Sequence, residues 1–211
     1  EALERARCEE APSASPLLGS GLFVGNLAAA QSALTAGSDA VDVGAVLYLG
    51  MRNVGHDVDG QMPFCSIAVA DGVADGAKAR PSRMHWQIHV LPVALRFIDH
   101  HLRCRRRVLI ACDRGDDRAP TVAAAALIAL FCDDCETMLR REECTGGVGY
   151  SKEVIRARVG MVLGCHPSAH LQRAHVKELT CFFAENAPKT GAGSRADIGG
   201  WTTLGLDAAS V

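Results

Sequence analysis

Cysteine, glycine and arginine at the spacing Cys112-x-x-Gly115-x-x-Arg118 carry the strongest chemical signal in the chain. An apolar run of Val108, Leu109, Ile110 and Ala111 stops at Cys112, a polar loop follows, and an alanine-rich run begins after Arg118. A loop between a buried strand end and a helix start can aim several backbone N–H groups at one point, which also feels the positive end of the helix dipole. Such a point suits an anion. A cysteine opening the loop is biased towards thiolate, and an arginine closing it can grip phosphate as a fork. The arrangement allows a thiolate to attack phosphorus while the N–H groups and the arginine stabilise the equatorial oxygens. A separate acid would protonate the leaving group, and Asp71, just after an upstream strand signal, is the candidate.

Positioning these groups requires strands that end at one edge of a sheet. The chain supplies short strand signals at residues 21–27 (ended by a Gly25-Asn26 turn), 45–49, 64–70 and 108–111, separated by helical spacings at 28–34, 86–102, 121–131, 152–163 and 171–184. A further helix is expected over residues 133–144. Pro92 fits only the first turn of its helix or a kink. Strands alternating with helices predict an α/β domain with a central, mostly parallel sheet flanked by helices. Its natural site lies beyond the carboxyl ends of the strands, where Asp71 and Cys112 would share a cleft.

The totals narrow the function classes. The chain has 211 residues and a net charge of −2, so any nucleic-acid contact would rest on local patches. No apolar run approaches the roughly 18 residues of a membrane span, so no membrane partner is expected. Nine cysteines without a signal peptide read as reduced thiols in a cytoplasmic protein, not as a disulfide framework. Cys132 and Cys135 have CxxC spacing but lack a second pair at zinc-binding distance. Residues 1–19 read as a linker or the remnant of a preceding domain, 20–186 as one folded domain, and 187–211 as a flexible tail. A first residue that is not methionine fits a piece of a longer protein.

The loop from Cys112 through Pro120, with the strand through Leu22, Phe23 and Val24 and the strand ending at Asp71, resembles the dual-specificity phosphatase family. That resemblance covers residues 21–185 and implies the cysteine-phosphatase fold. Departures stand out. Ala111 replaces the histidine that precedes the family's cysteine, and Ala119 replaces the hydroxyl residue after its arginine. Asp113, Asp116 and Asp117 place carboxylates where a phosphate dianion would bind, and such charges raise a neighbouring thiol pKa.

A second resemblance accommodates the carboxylates. Cys112-Asp113-x-Gly115-x-Asp117 is similar to the C-terminal, phosphatase-like domain of the initiator-tRNA 2′-O-ribosylphosphate transferase family. Lys152-x-x-Ile155-Arg156-x-Arg158, and Pro167 followed by Arg173-Ala174-x-Val176 and Phe182, look like that family's downstream signatures. His170-Leu171-Gln172 departs from its usual Asn-Pro-Ser. The resemblance implies transfer of ribosyl phosphate from phosphoribosyl pyrophosphate to a 2′-hydroxyl of initiator tRNA, with an N-terminal domain of the same polypeptide as partner.

On that reading Asp113, Arg114, Gly115, Asp116 and Asp117 bind phosphate, and the three aspartates ligate Mg²⁺ that arrives with the pyrophosphate. Asp71, Cys112 and Arg118 remain the catalytic candidates, and Arg156, Arg158 and Arg173 would meet RNA. Two alternatives stand beside it: an active dual-specificity or tyrosine phosphatase using Cys112 as nucleophile, and a non-catalytic phosphate-binding pseudophosphatase.

Overall fold

Continuous apolar runs form the centre of the molecule because parallel strands are covered on both faces. The computed structural model describes residues 11–35, 42–52, 54, 62–69, 85–139 and 151–185. Five strands build one sheet: β1 (Ala14–Leu17), β2 (Leu22–Asn26), β3 (Ala45–Leu49), β4 (Phe64–Ile67) and β5 (Val108–Cys112). Their spatial order is β1-β2-β5-β3-β4. β1 pairs antiparallel to β2, and all other neighbours are parallel. The sheet is therefore mostly parallel, with β5 in the middle. Asn26, Leu49 and Cys112 share one register level at its carboxyl edge.

Side-chain alternation divides the core in two. Val24, Leu47, Ile110 and Cys112 face four helical elements, whereas Val46, Tyr48, Leu109 and Ala111 face α1 (Leu27–Thr35) through Ala29, Ala30, Ala33 and Leu34. The first face is covered by α2 (Leu91–Arg103), α3 (Arg118–Leu130), α4 (Lys152–Cys165) and α5 (Arg173–Glu185). Every residue of α3 is buried, and its alanines let the sheet and the neighbouring helices approach closely. A π-helical segment (Trp86–Val90) leads into α2, where Pro92 occupies the first turn and its missing N–H costs nothing. Among the described residues no helix is long and apolar enough to cross a membrane.

Three sequence expectations change. β1 lies inside the stretch read as linker; Pro16 is tolerated there because β1 is an edge strand. Residues 133–139 form a turn, not the start of a helix. The Asp134 carboxylate accepts the N–H groups of Glu136 and Thr137, each at 2.9 Å, and Phe131 bridges antiparallel to Met138. β4 ends at Ile67, short of the expected residue 70. Residues 140–144 of the expected helix and the expected tail from 187 lie outside the described residues.

Candidate phosphate-binding site

Cys112 ends the central strand with its side chain buried at 3% exposure, and Arg118 opens α3 six residues later. Between them the loop turns back over the sheet edge. Gly115 makes the turn at φ +80°, and a Cβ there would stand 2.9 Å from the Gly25 carbonyl carbon and oxygen. Glycine is required on both counts: the left-handed backbone and the close pass over β2. The backbone N–H groups of Ala119, Gly115, Asp117 and Arg118 hydrogen-bond towards the Cys112 sulfur. Such a convergence forms a cradle that can hold an anion.

Burial pushes the Cys112 thiol above its ordinary pKa, and the four N–H groups only partly offset it. The thiol therefore favours its neutral form, which is a poor nucleophile. Ala111 faces away from the loop into the α1 layer, and Ala119 is fully buried, so neither supplies a proton relay.

The carboxylates are built into the scaffold. Tyr48 donates its hydroxyl to Asp113 Oδ1 at 2.7 Å, Arg52 Nε reaches the same oxygen at 3.2 Å, and Arg118 Nη1 lies 3.5 Å from Oδ2. Burial, then the bond to Asp113, raises the Tyr48 pKa far above that of free tyrosine, which keeps the hydroxyl a donor. Asp113 thus ties the loop to β3 and orients the buried Arg118 guanidinium. Asp117 Oδ1 accepts from Gln172 N–H and from His175 Nδ1, each at 2.9 Å. Asp116 Oδ2 pairs with the exposed Arg114 at 3.0 Å.

Further contacts reach the loop from the connection between α4 and α5. His166, 3% exposed, places Nε2 3.1 Å from the Gly115 carbonyl and Nδ1 2.8 Å from Ser15 Oγ on β1. The His170 N–H donates to the Asp116 carbonyl at 2.6 Å. His175 packs its ring on Trp86 with centroids 4.6 Å apart. The His166 and His175 side chains brace the cradle through contacts that no local spacing reveals.

The remaining candidates fall into three groups. Asp71 lies outside the described residues. Arg156 and Arg173 are exposed and free to meet a polyanion in the way expected, whereas Arg158 is not. Its guanidinium is buried and donates to the Asp133 carbonyl at 2.8 Å and the Cys132 carbonyl at 2.9 Å, while pairing with the Asp133 carboxylate at 3.0 Å. Arg158 pins the turn after α3; it is structural. Asp113, Asp116 and Asp117 do not gather as one ligand set, since Asp113 points to β3 and Asp117 to α5. Among the described residues no group of three His, Cys, Asp or Glu side chains could hold a metal ion. The Mg²⁺ reading therefore does not fit these side chains. Cys132 and Cys135 are free thiols.

Solved structures of similar fold include phosphatase domains and a phosphatase-like protein. The chain is similar to the Yvh1 phosphatase domain from Chaetomium thermophilum, with 19% identity, a TM-score of 0.60, and coverage of 85% of this chain and 100% of that one. Human tyrosine phosphatase-like serine/threonine/tyrosine-interacting protein gives 15% identity and a TM-score of 0.57, covering 82% of this chain and 96% of the other. Human DUSP28 gives 16% and 0.56, covering 83% and 97%. At such identities the likeness concerns the fold, and it bears out the dual-specificity-phosphatase architecture. No curated protein sequence matches the chain. Residues 78–183 match a family model described as the Rit1 DUSP-like domain.

Proposed function

The chain belongs to the Rit1 DUSP-like domain family, the initiator-tRNA family its sequence resembles, and on that premise we propose that it is the phosphate-gripping domain of a transferase. The transferase moves ribosyl phosphate from phosphoribosyl pyrophosphate to a 2′-hydroxyl of initiator tRNA. The observation that carries this reading is the pairing of a convergent N–H cradle with a buried Cys112 flanked by Ala111 and Ala119, which offer neither an imidazole nor a hydroxyl to assist attack or breakdown of a phosphocysteine. Such a loop favours holding a phosphate or pyrophosphate group over attacking it.

In the reaction the 2′-oxygen bonds to C1 of the ribosyl group, the bond from C1 to the pyrophosphate oxygen breaks, and pyrophosphate leaves with that electron pair. The hydroxyl proton passes to solvent or to Asp71. Arg118, oriented by Asp113, and the loop N–H groups hold phosphate oxygens, so their contribution is binding and orientation. Exposed Arg114, Arg156 and Arg173 meet the RNA backbone, and the N-terminal domain of the same polypeptide, a cytoplasmic protein, completes the site. No step runs through a metal held by the loop carboxylates. An ion bound to the pyrophosphate would arrive as part of the substrate.

Titration of the chain with inorganic pyrophosphate and with phosphoribosyl pyrophosphate tests the reading, alongside hydrolysis of a chromogenic phosphate ester. Binding that persists in Cys112→Ser, with no cysteine-dependent hydrolysis, is the expected result. Turnover abolished by Cys112→Ser would instead establish an active phosphatase. The pseudophosphatase alternative predicts anion binding without transfer when the longer polypeptide is given phosphoribosyl pyrophosphate and initiator tRNA.

A further inference from the structure

The inner half of the cradle consists of N–H groups, and peptide planarity makes its outer half equally informative. In a trans peptide the carbonyl and the N–H point in opposite directions, so holding a carbonyl outward aims the next residue's N–H inward. The peptide between Asp116 and Asp117 is held in this way. Its carbonyl accepts the His170 N–H at 2.6 Å, and its N–H is one of the four directed at the Cys112 sulfur. One residue earlier, the Gly115 carbonyl is held by His166 Nε2 at 3.1 Å. One side chain later, Asp117 Oδ1 is held by Gln172 N–H and His175 Nδ1. Three successive loop residues are thus clamped from outside by one short connection.

The His175 tautomer is determined by its partner. A carboxylate only accepts, so the contact with Asp117 places the His175 proton on Nδ1, whereas His166 Nε2 faces both the Gly115 carbonyl at 3.1 Å and Ser168 Oγ at 3.0 Å. The His175 ring is in turn fixed by Trp86 on the π-helical segment, and His166 by Ser15 on β1. Each histidine therefore transmits the position of a rigid element to the loop.

We infer that the connection between α4 and α5 is the outer half of the phosphate cradle: the His170 N–H aims the Asp117 N–H inward, and His166 and His175 are positioning residues that hold the loop on either side of that peptide, at the Gly115 carbonyl and the Asp117 carboxylate. This rests on the cradle reading above. The two nevertheless fail separately, because loop geometry can be read from Cys112 without any ligand.

The test compares the parent chain with His175→Phe, which keeps a ring against Trp86 but cannot reach Asp117, and with His175→Asn, whose amide nitrogen can stand where Nδ1 stood. Alkylation of Cys112 by a small reagent is followed by peptide mass mapping, because opening of the loop exposes a sulfur that is otherwise buried. Pyrophosphate affinity is measured in parallel. In His175→Phe, Cys112 alkylation should quicken by about tenfold and pyrophosphate affinity should fall by about tenfold, the effect of losing a hydrogen bond to a charged group. His175→Asn should restore most of both, which a role in packing alone would not produce. Asp117→Ala, which also loses the Gln172 N–H contact, should be no worse when His175→Phe is added to it. Unchanged Cys112 alkylation in both His175→Phe and His166→Ala would overturn the inference. If the parent fails to bind pyrophosphate while the alkylation pattern holds, the anion reading falls and the positioning role stands.

Discussion

Gly115→Ala probes the loop where its geometry is tightest. At φ +80° a side chain meets the left-handed penalty, about 1–2 kcal/mol for a non-glycine residue. The added Cβ would also lie 2.9 Å from Gly25 C and O and 3.0 Å from Asn26 N. These are backbone atoms of a strand paired on both sides, so they yield little, and overpacking of this kind costs about 1–3 kcal/mol. Together the two terms give a loss of about 3 kcal/mol. For a chain of this size that corresponds to a fall of roughly 6–12 °C in Tm. Gly160→Ala is the internal control, since it sits within α4 with nothing within 4 Å of a new Cβ. It should stabilise by about 0.5–1 kcal/mol through helix propensity. Thermal unfolding followed by circular dichroism, with a pyrophosphate titration on each variant, reads both consequences. A Gly115→Ala chain within about 0.5 kcal/mol of the parent and with unchanged anion affinity would refute the argument that this loop is held by its approach to β2.

Three further outcomes follow from burial and exposure. Arg158→Met should cost about 2–3 kcal/mol, because the Cys132 and Asp133 carbonyls lose a charged donor, yet leave RNA affinity unchanged. Arg173→Ala should do the reverse, weakening tRNA binding and lowering the salt slope by about one in a filter or fluorescence titration. His101 has its pKa lowered to about 4, chiefly by burial and then by His100 and Arg106. The unfolded chain, with a histidine pKa near 6.5, takes up the proton first, so this contribution to stability is intact above about pH 6.5 and is lost as pH falls towards 4. Urea unfolding across that window should show the decline, and His101→Phe should flatten it; an equal slope in the variant would exclude His101 as the cause.

The parts of the fold legible in the sequence were those whose signal is local. β2, β3 and β5 announce themselves as apolar runs because both faces of a central strand are covered, and the loop from Cys112 to Arg118 follows directly from its glycine and its neighbours. β1 was hidden because Ser15 and Pro16 look like linker until an edge position makes them acceptable. The turn at 133–139 was hidden because Asp134 captures backbone N–H groups that a helix would have used. Arg158 matched a family signature, but its burial depends on a turn 25 residues away. His166 and His175 carried no local mark at all. Their roles come from partners on β1, the loop and the π-helical segment, which only the folded chain brings together.

The contacts that close around Cys112 also order events in time. Tyr48 meets Asp113 across 65 residues of chain, His166 meets Gly115 across 51, and His166 meets Ser15 across 151. Contacts of such separation require large loops to close first, which makes them late arrivals in folding. During synthesis the strand, the loop and α3 would all be in place before residues 166–175 had emerged. The loop around Cys112 therefore reaches its finished form last, and any ligand that recognises that form selects molecules that have completed folding. By mass action such a ligand would stabilise those molecules alone.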